Sequence, residues 1–142
     1  MKFILGTAQL NQKYGINNET KATIKNSLKI IRYAHRNKIK EIDTAPGYAN
    51  SQKIISKIKK KFLICSKING LLKIKKDDLE AHIGKQIHFI LNELSVNRLN
   101  GVYFHEPEIF KNKSKSLFAY KILDKFRKQK LIKKIGVSIY DP

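Results

Sequence analysis

Short apolar runs and longer amphipathic stretches alternate along the chain. The apolar runs occupy residues 3–5, 39–44, 62–66, 101–105 and 134–139, and each is short enough to form one buried β-strand. Between the runs, apolar residues recur every three or four positions, as they do on one face of an α-helix. These helical positions are Ile24, Leu28, Ile31 and Ala34; Ile54, Ile55 and Ile58; Leu79, Ile83, Ile87, either Ile90 or Leu91, and Leu94; and Ala119, Ile122, Leu123 and Phe126. The alternation predicts about five strands and four helices in repeated βα units, and therefore an α/β fold with a parallel sheet.

Small polar residues stand where two of these helices are predicted to begin. Their side-chain oxygens can accept hydrogen bonds from the first backbone N–H groups of a helix. The predicted caps are Asn50 or Ser51 for the second helix and Ser114 or Ser116 for the fourth.

Four of the apolar runs carry, at or beside their carboxyl ends, a polar residue that can take part in chemistry. These residues are Asp43, Lys67, His105 and Ser138. Tyr48 lies five residues after Asp43, across a turn that Pro46 and Gly47 favour. In parallel α/β folds and β/α barrels, ligands bind beyond the carboxyl ends of the strands. The sequence therefore predicts that these side chains share one ligand site.

The residue types at this predicted site suit the transfer of a proton to a carbonyl group. A phenol has an ordinary pKa near 10 and is a poor acid at neutral pH, but an adjacent ammonium lowers that pKa. Lys67 can supply the ammonium to Tyr48, and Asp43 can keep Lys67 protonated and oriented. His105 can donate a hydrogen bond to a carbonyl oxygen. Reduction of the carbonyl then requires a hydride from a cofactor.

Each of these residues also has a purely structural interpretation. Asp43 can accept a turn hydrogen bond at the end of a strand, and Tyr48 can be a half-buried loop tyrosine. His105 can simply end a strand before Pro107. Taken singly, the structural interpretation is preferred, whereas the four residues taken together favour the functional one. The remaining histidines are assigned to helix faces: His35, His82 and His88.

The charge of the chain raises nucleic-acid binding as an alternative function. The formal net charge is +19, and a basic surface binds phosphate backbones by releasing counterions. However, only four of the 30 basic residues are arginine, and the lysines are scattered through every segment instead of clustering with aromatic residues. We therefore interpret the lysines as solvated surface residues without a dedicated ligand, and we expect no nucleic-acid partner.

Length and composition favour a single cytoplasmic domain over residues 1–142. A chain of 142 residues, 42% of them hydrophobic, can bury a core of its own. Cys65 is the only cysteine, which excludes a disulfide framework and favours a reducing compartment. The apolar run after Lys2 is too short for a signal peptide, and no run reaches the roughly 18 apolar residues of a membrane span. We expect neither a membrane partner nor a bound metal ion.

Several stretches of the chain resemble the aldo/keto reductase family, in the order in which that family carries them. They are residues 5–9 (LGTAQ), followed by Tyr14-Gly15-Ile16; residues 42–48 (IDTAPGY); Ser66-Lys67; residues 91–107; and residues 135–138 (IGVS). Together they extend over nearly all 142 residues. The resemblance implies a (β/α)₈ TIM barrel, of which this chain contains the first five strands.

The resemblance also implies a role for each residue of the predicted site. Asp43, Tyr48, Lys67 and His105 match the catalytic tetrad of the family. By that match, Tyr48 would protonate the oxygen of a small aldehyde or ketone while a hydride passes from NADPH. His105 would orient the carbonyl, and Lys67 with Asp43 would tune Tyr48. The positions that match the family's contacts with the NADP cofactor are Gly6, Thr7 and Ser138.

Two features depart from the family pattern. Ile139 stands where the family commonly carries an asparagine that binds the nicotinamide amide. A barrel of eight units needs on the order of 250 residues, so we expect a truncated domain with impaired catalysis. Its unpaired sheet edges favour self-association. The alternative is a catalytically inactive scaffold subunit whose barrel is completed by a partner chain.

Overall fold

Five parallel strands alternate with four α-helices along the part of the chain that the structure describes. The computed structural model describes residues 3–13, 22–58 and 61–139; Tyr14-Gly15-Ile16 of the family resemblance lies outside them. The strands are β1 (Ile4–Gly6), β2 (Glu41–Asp43), β3 (Leu63–Ile68), β4 (Leu99–Phe104) and β5 (Ile132–Val137). The helices are α1 (Ile24–Arg36), α2 (Ser51–Ser56), α3 (Leu79–Leu94) and α4 (Lys113–Lys128), with 3₁₀ turns at Leu71–Lys73, Lys76–Asp78 and Pro107–Lys111. The predicted alternation of strands and helices is confirmed.

The strands pair in the order in which they occur along the chain. The sheet order is β1-β2-β3-β4-β5, and every pairing is parallel. Right-handed crossovers between consecutive parallel strands place the intervening helices on the same face of the sheet. In agreement with this, Gln52 of α2 donates a hydrogen bond from Nε2 to the hydroxyl oxygen of Ser66 in β3, at 3.3 Å. Sequential order is the arrangement of a barrel wall, because a doubly wound sheet reverses its strand order.

The apolar core lies between this sheet and the helices. Ile42, Ile64, Val102 and Phe104 project from the strands into it and are buried. Helix α3 contributes its whole predicted stripe, which is buried along its length. Each such leucine or isoleucine removed from water stabilises the fold by about 1.5–3 kcal/mol. The core positions predicted for α3 are therefore confirmed.

Strand β1 was predicted to be buried, and that prediction is wrong. Phe3 and Ile4 are each more than half exposed. In the described part of the chain β1 pairs with β2 alone, so it is an edge strand. A side chain on an edge strand lacks a neighbour on one side, and burial there depends on pairing that the local apolar pattern does not encode.

Two further details of the elements differ from the predictions. Asn112 caps α4 by accepting a hydrogen bond at Oδ1 from the backbone N–H of Lys115 at 3.0 Å, in place of Ser114 or Ser116. Lys67 lies inside β3 and not after its end, because the strand continues to Ile68 through its pairing with β4.

Tyr103 of β4 packs against a glycine on the inner face of the sheet. A Cβ atom added at Gly136 of β5 would lie 2.6 Å from Cδ1 and 2.8 Å from Cε1 of the Tyr103 ring. A hydrogen bond with Cys65, followed by burial and by the charges of Asp43 and Glu41, raises the pKa of Tyr103. The phenol is therefore neutral, and it fills the space that Gly136 leaves.

Replacing Gly136 by alanine is expected to destabilise the fold by about 1–2 kcal/mol, because the Tyr103 ring has to move. Urea unfolding measures the loss. Gly47→Ala is the matched control, since its added Cβ would meet no described atom within 4 Å and the change in the unfolded chain is the same. Adding Tyr103→Leu to Gly136→Ala should recover most of the loss. An unfolding midpoint of Gly136→Ala equal to that of the wild type would contradict this packing.

Candidate active site

Strands β2 and β3 bring a carboxylate and an ammonium together at the carboxyl end of the sheet. Lys67 Nζ donates a hydrogen bond to Asp43 Oδ2 at 2.6 Å and lies 3.5 Å from the carbonyl oxygen of Thr44. The register pairs Asp43 with Cys65, and Lys67, two residues further along β3, projects from the same face. The Lys67 side chain is 6% exposed, whereas that of Asp43 is 31% exposed. The ion pair is therefore buried on the lysine side and reaches solvent on the aspartate side.

Tyr48 lies against this pair from the loop that follows β2. Lys67 Nζ is 5.0 Å from the centre of the Tyr48 ring. Tight backbone turns position the ring: the Tyr48 N–H donates to the carbonyl of Ala45 at 3.1 Å, and the Ser51 N–H donates to the carbonyl of Tyr48 at 2.9 Å. The ammonium thus donates to a carboxylate and a carbonyl and lies over the ring of a phenol.

The surroundings of Lys67 keep it charged. Burial opposes the charge, but the hydrogen bond and charge of Asp43, followed by those of Tyr48, outweigh burial and raise the pKa of Lys67 above its ordinary value of 10.5. Lys67 is therefore an ammonium across the physiological range.

Lys67→Met is expected to lower the free energy of unfolding by about 2 kcal/mol at pH 8, because it leaves Asp43 without its partner. The figure is below that for a fully buried pair because the Asp43 carboxylate reaches solvent. A folded-state pKa above the unfolded value means that the stabilisation is fully present below the unfolded pKa and is lost as pH rises through the folded-state pKa. The difference between wild type and variant should therefore be constant from neutral pH to about 10 and shrink above it.

Lys125→Met is the matched control for Lys67→Met. Lys125 Nζ also lies 2.6 Å from a carboxylate, that of Glu80, but the two side chains are 59% and 55% exposed. Exposed pairs of this kind contribute about 0–1 kcal/mol. If urea unfolding gave the same loss of unfolding free energy in both variants, the Lys67–Asp43 pair would contribute no more to stability than an exposed ion pair.

His105 follows β4 directly and joins the same group of side chains. Its backbone N–H donates to the carbonyl oxygen of Ile68 at 3.0 Å, which continues the β3–β4 pairing. Burial, followed by the charge of Lys67, lowers the pKa of His105, and the charges of Glu106 and Asp43 oppose the shift without reversing it. The imidazole is therefore neutral at pH 7, and a neutral imidazole carries one N–H donor.

The three residues that match cofactor contacts have different surroundings. Gly6 pairs with Asp43 in the sheet, and a Cβ added there would meet no described atom within 4 Å. Thr7 is completely buried, and its hydroxyl donates to the carbonyl oxygen of Asp43 at 2.9 Å. Ser138 is half-buried just after β5, where its N–H donates to the carbonyl oxygen of Phe104 at 2.9 Å. The structure thus brings Gly6 and Thr7 next to Asp43 and places Ser138 at the opposite edge of the sheet.

Hydrogen bonds that the sequence did not predict join the loops after β1 and β2. Ser51 Oγ lies 2.9 Å from the carbonyl oxygen of Thr7 and 3.2 Å from that of Leu10. Asn50 Nδ2 donates to Asn11 Oδ1 at 3.0 Å. The sequence indicated only helix capping for Asn50 and Ser51, and Asn50 is the α2 cap residue but makes no side-chain cap hydrogen bond. The sequence signal for these hydrogen bonds was the pair of small polar residues, Asn50 and Ser51, that follows the turn carrying Tyr48.

A family comparison decides the relationship that these residues suggested. The model of the aldo/keto reductase family matches residues 2–142. The chain belongs to the aldo/keto reductase family. No curated protein matches the chain in sequence.

Solved aldo-keto reductase structures share the fold of this family member. A Pseudomonas aeruginosa protein assigned to the aldo-keto reductases is 23% identical with a TM-score of 0.74, over 95% of this chain and 54% of that one. A glycerol dehydrogenase from Gluconobacter oxydans is 24% identical with a TM-score of 0.71, over 98% and 45%. A Klebsiella pneumoniae aldo-keto reductase in complex with NADPH is 18% identical with a TM-score of 0.71, over 97% and 45%. This chain therefore spans about half the length of these relatives, and its open five-stranded sheet is a partial TIM barrel.

The described part of the chain contains neither a metal-binding cluster nor a membrane-spanning helix. Within residues 3–13, 22–58 and 61–139, no group of three His, Cys, Asp or Glu side chains is placed to hold a metal ion. Over the same residues, no helix combines the length and the apolar character that crossing a membrane requires.

Proposed function

We propose that this aldo/keto reductase chain supports the NADPH-dependent reduction of a small aldehyde or ketone to an alcohol. The contact of Lys67 with both Asp43 and Tyr48 carries the proposal, because it joins a fixed ammonium to a phenol at the ligand-binding end of the sheet. Membership of the family supports oxidoreductase chemistry. The Klebsiella pneumoniae relative in complex with NADPH supports the choice of cofactor.

Each residue of the tetrad has one task in this mechanism. The Tyr48 hydroxyl gives its proton to the carbonyl oxygen and leaves a phenolate, which later takes a proton from solvent. The Lys67 ammonium stabilises the negative charge that develops on the phenol oxygen, and Asp43 holds Lys67 in place and charged. The neutral His105 imidazole donates a hydrogen bond to the carbonyl oxygen and orients it.

The residues present fit the reacting end of a nicotinamide cofactor. Gly6 leaves room beside Asp43, since a Cβ there would meet no described atom within 4 Å. Gly6 and Ser138 would contact the cofactor, whereas Thr7 would act by fixing the backbone of Asp43. NADPH, when bound, supplies the hydride that adds to the carbonyl carbon.

We infer that the chain by itself is a weak catalyst. It spans about half the length of its solved relatives, so a cofactor bound to it would lack the contacts that the remaining barrel units of a relative can offer. All four residues of the tetrad are contained in this chain, which supports slow turnover and not a complete loss of it.

The test is aldehyde-dependent oxidation of NADPH by the purified chain. A reactive aromatic aldehyde in excess and a high protein concentration give the best chance of measuring a slow rate. We expect measurable turnover that NADH supports less well. A folded chain that neither binds NADPH by fluorescence nor oxidises it with the aldehyde would count against reductase function.

A second candidate is a scaffold whose barrel is completed by another polypeptide. The observation that favours it is the exposure of apolar side chains at both edges of the sheet, Phe3 and Ile4 at β1 and Val137 and Ile139 at β5. Saturable NADPH binding only in an assembled state would support this candidate over an independent reductase.

A further inference from the structure

Glu106 follows His105 directly and reaches back to the neighbouring loop. Its Oε2 accepts a hydrogen bond from the backbone N–H of Leu71 at 3.0 Å. Leu71 begins the 3₁₀ turn Leu71–Lys73 and is buried. The first N–H groups of a helical turn have no partner within the turn, and a carboxylate is the strongest acceptor for such a donor. The contact therefore satisfies a buried backbone group with a charged side chain.

This hydrogen bond links the two loops that flank the candidate active site. Leu71 lies four residues after Lys67, in the loop between β3 and α3, and Glu106 lies in the loop after β4. On its other side the β3–α3 loop is held by Gln86 of α3, whose Nε2 donates to the carbonyl oxygen of Asn69 at 2.8 Å and whose Oε1 accepts from the Asn69 N–H at 3.0 Å. The β3–α3 loop is thus hydrogen-bonded to α3 on one side and, on the other, to Glu106, the residue after His105.

The charge of Glu106 also acts on the imidazole. Burial and the charge of Lys67 lower the pKa of His105, and the negative charge of Glu106 is the first of the two opposing influences, ahead of Asp43. Glu106 consequently moderates the loss of basicity that burial and Lys67 impose on His105.

We propose that Glu106 is a positioning residue that holds His105 beside Lys67 by tying the β4 loop to the backbone of Leu71. The negative charge of the Glu106 carboxylate also partly offsets the electrostatic effect of the Lys67 ammonium on the His105 imidazole. The hydrogen bond between Glu106 and Leu71 is a property of the fold and does not depend on the proposed reductase function. Only its effect on catalysis rests on that function.

Three variants separate the hydrogen bond from the charge. Glu106→Gln removes the charge and keeps a side-chain oxygen that can accept from Leu71. Glu106→Ala removes both. Glu108→Gln, in the 3₁₀ turn Pro107–Lys111 that directly follows Glu106, makes the same change of charge at an exposed residue and is the control.

Hydrogen–deuterium exchange read by mass spectrometry measures both effects at low protein concentration. The Leu71 amide should exchange on the order of tenfold faster in Glu106→Ala, because a hydrogen bond to a charged acceptor is lost, and stay within about threefold of wild type in Glu106→Gln. The pH midpoint for exchange of the His105 imidazole C2–H should fall in both variants, since a nearby negative charge has been removed. Glu108→Gln should move neither quantity.

Two outcomes would overturn the proposal. One is Leu71 amide exchange in Glu106→Ala equal to that in wild type; the other is a His105 midpoint that Glu106→Gln leaves unchanged. Neither measurement needs cofactor or turnover. A chain without reductase activity can therefore still confirm the role of the Glu106–Leu71 hydrogen bond, and a chain with that activity can still refute it.

Discussion

Tyr48→Phe is expected to slow carbonyl reduction by at least about 100-fold and to leave the fold intact. The substitution removes the hydroxyl that would protonate the carbonyl oxygen and keeps the ring that lies 5.0 Å from Lys67 Nζ. Loss of a positioned general acid costs about 10²–10⁴-fold in rate. The quantity to compare is kcat/KM for a reactive aldehyde with saturating NADPH, and we expect a fall of at least about 100-fold.

Tyr33→Phe controls for the chemical change at Tyr48. Tyr33 is an exposed tyrosine on α1, and its loss of a hydroxyl should leave turnover unchanged. NADPH binding by Tyr48→Phe should also match the wild type, because the predicted cofactor contacts are elsewhere. Wild-type turnover by Tyr48→Phe would exclude the phenol as the acid, whatever the fold.

The isolated chain is expected to associate with itself, and more strongly as salt is added. Its outermost helices expose apolar side chains on the flank away from their neighbours. In α1, His35 contacts Phe62 ring to ring at 5.1 Å, whereas Ile30 and Tyr33 are exposed and lie on the other side of the helix. The net charge of +19 opposes association at low salt, and counterions screen that repulsion.

Helix α4 shows the same asymmetry at the other end of the sheet. Its Phe126 contacts His88 of α3 at 5.9 Å, and Leu117 and Tyr120, on the opposite flank, are exposed. Both ends of the open barrel therefore present an apolar helix flank beside an edge strand.

Sedimentation across a range of protein and salt concentrations tests this association. Ile4→Lys with Val137→Lys, one charge on each edge strand, should weaken it by at least about tenfold, because lysine on an edge blocks strand addition. Phe89→Lys, at an exposed residue of the central helix α3, is the control and should have little effect. A chain that stays monomeric at every concentration and salt level would refute the prediction, and an equal effect of Phe89→Lys would place the contact elsewhere.

Local pattern was enough to predict the elements and most of the core. The 3.6-residue period of α3 and the short apolar runs specify helix and strand without long-range information, since each reflects a single element facing a common core. Polar residues at the ends of those runs indicated Asp43, Lys67 and His105, and the structure brings these three side chains together with Tyr48. Their catalytic role stays a prediction.

Contacts between residues distant in sequence were decided only by the tertiary structure. The exposure of β1 follows from its place at the sheet edge, and the buried Thr7 finds its hydrogen-bond acceptor on Asp43, 36 residues away. The hydrogen bond from Leu71 to Glu106 spans 35 residues. No periodicity records such pairs, because each exists only once the register of neighbouring strands has placed two loops side by side. The sequence by itself thus determined which elements form and which ends carry chemistry, whereas strand register decided which side chains meet.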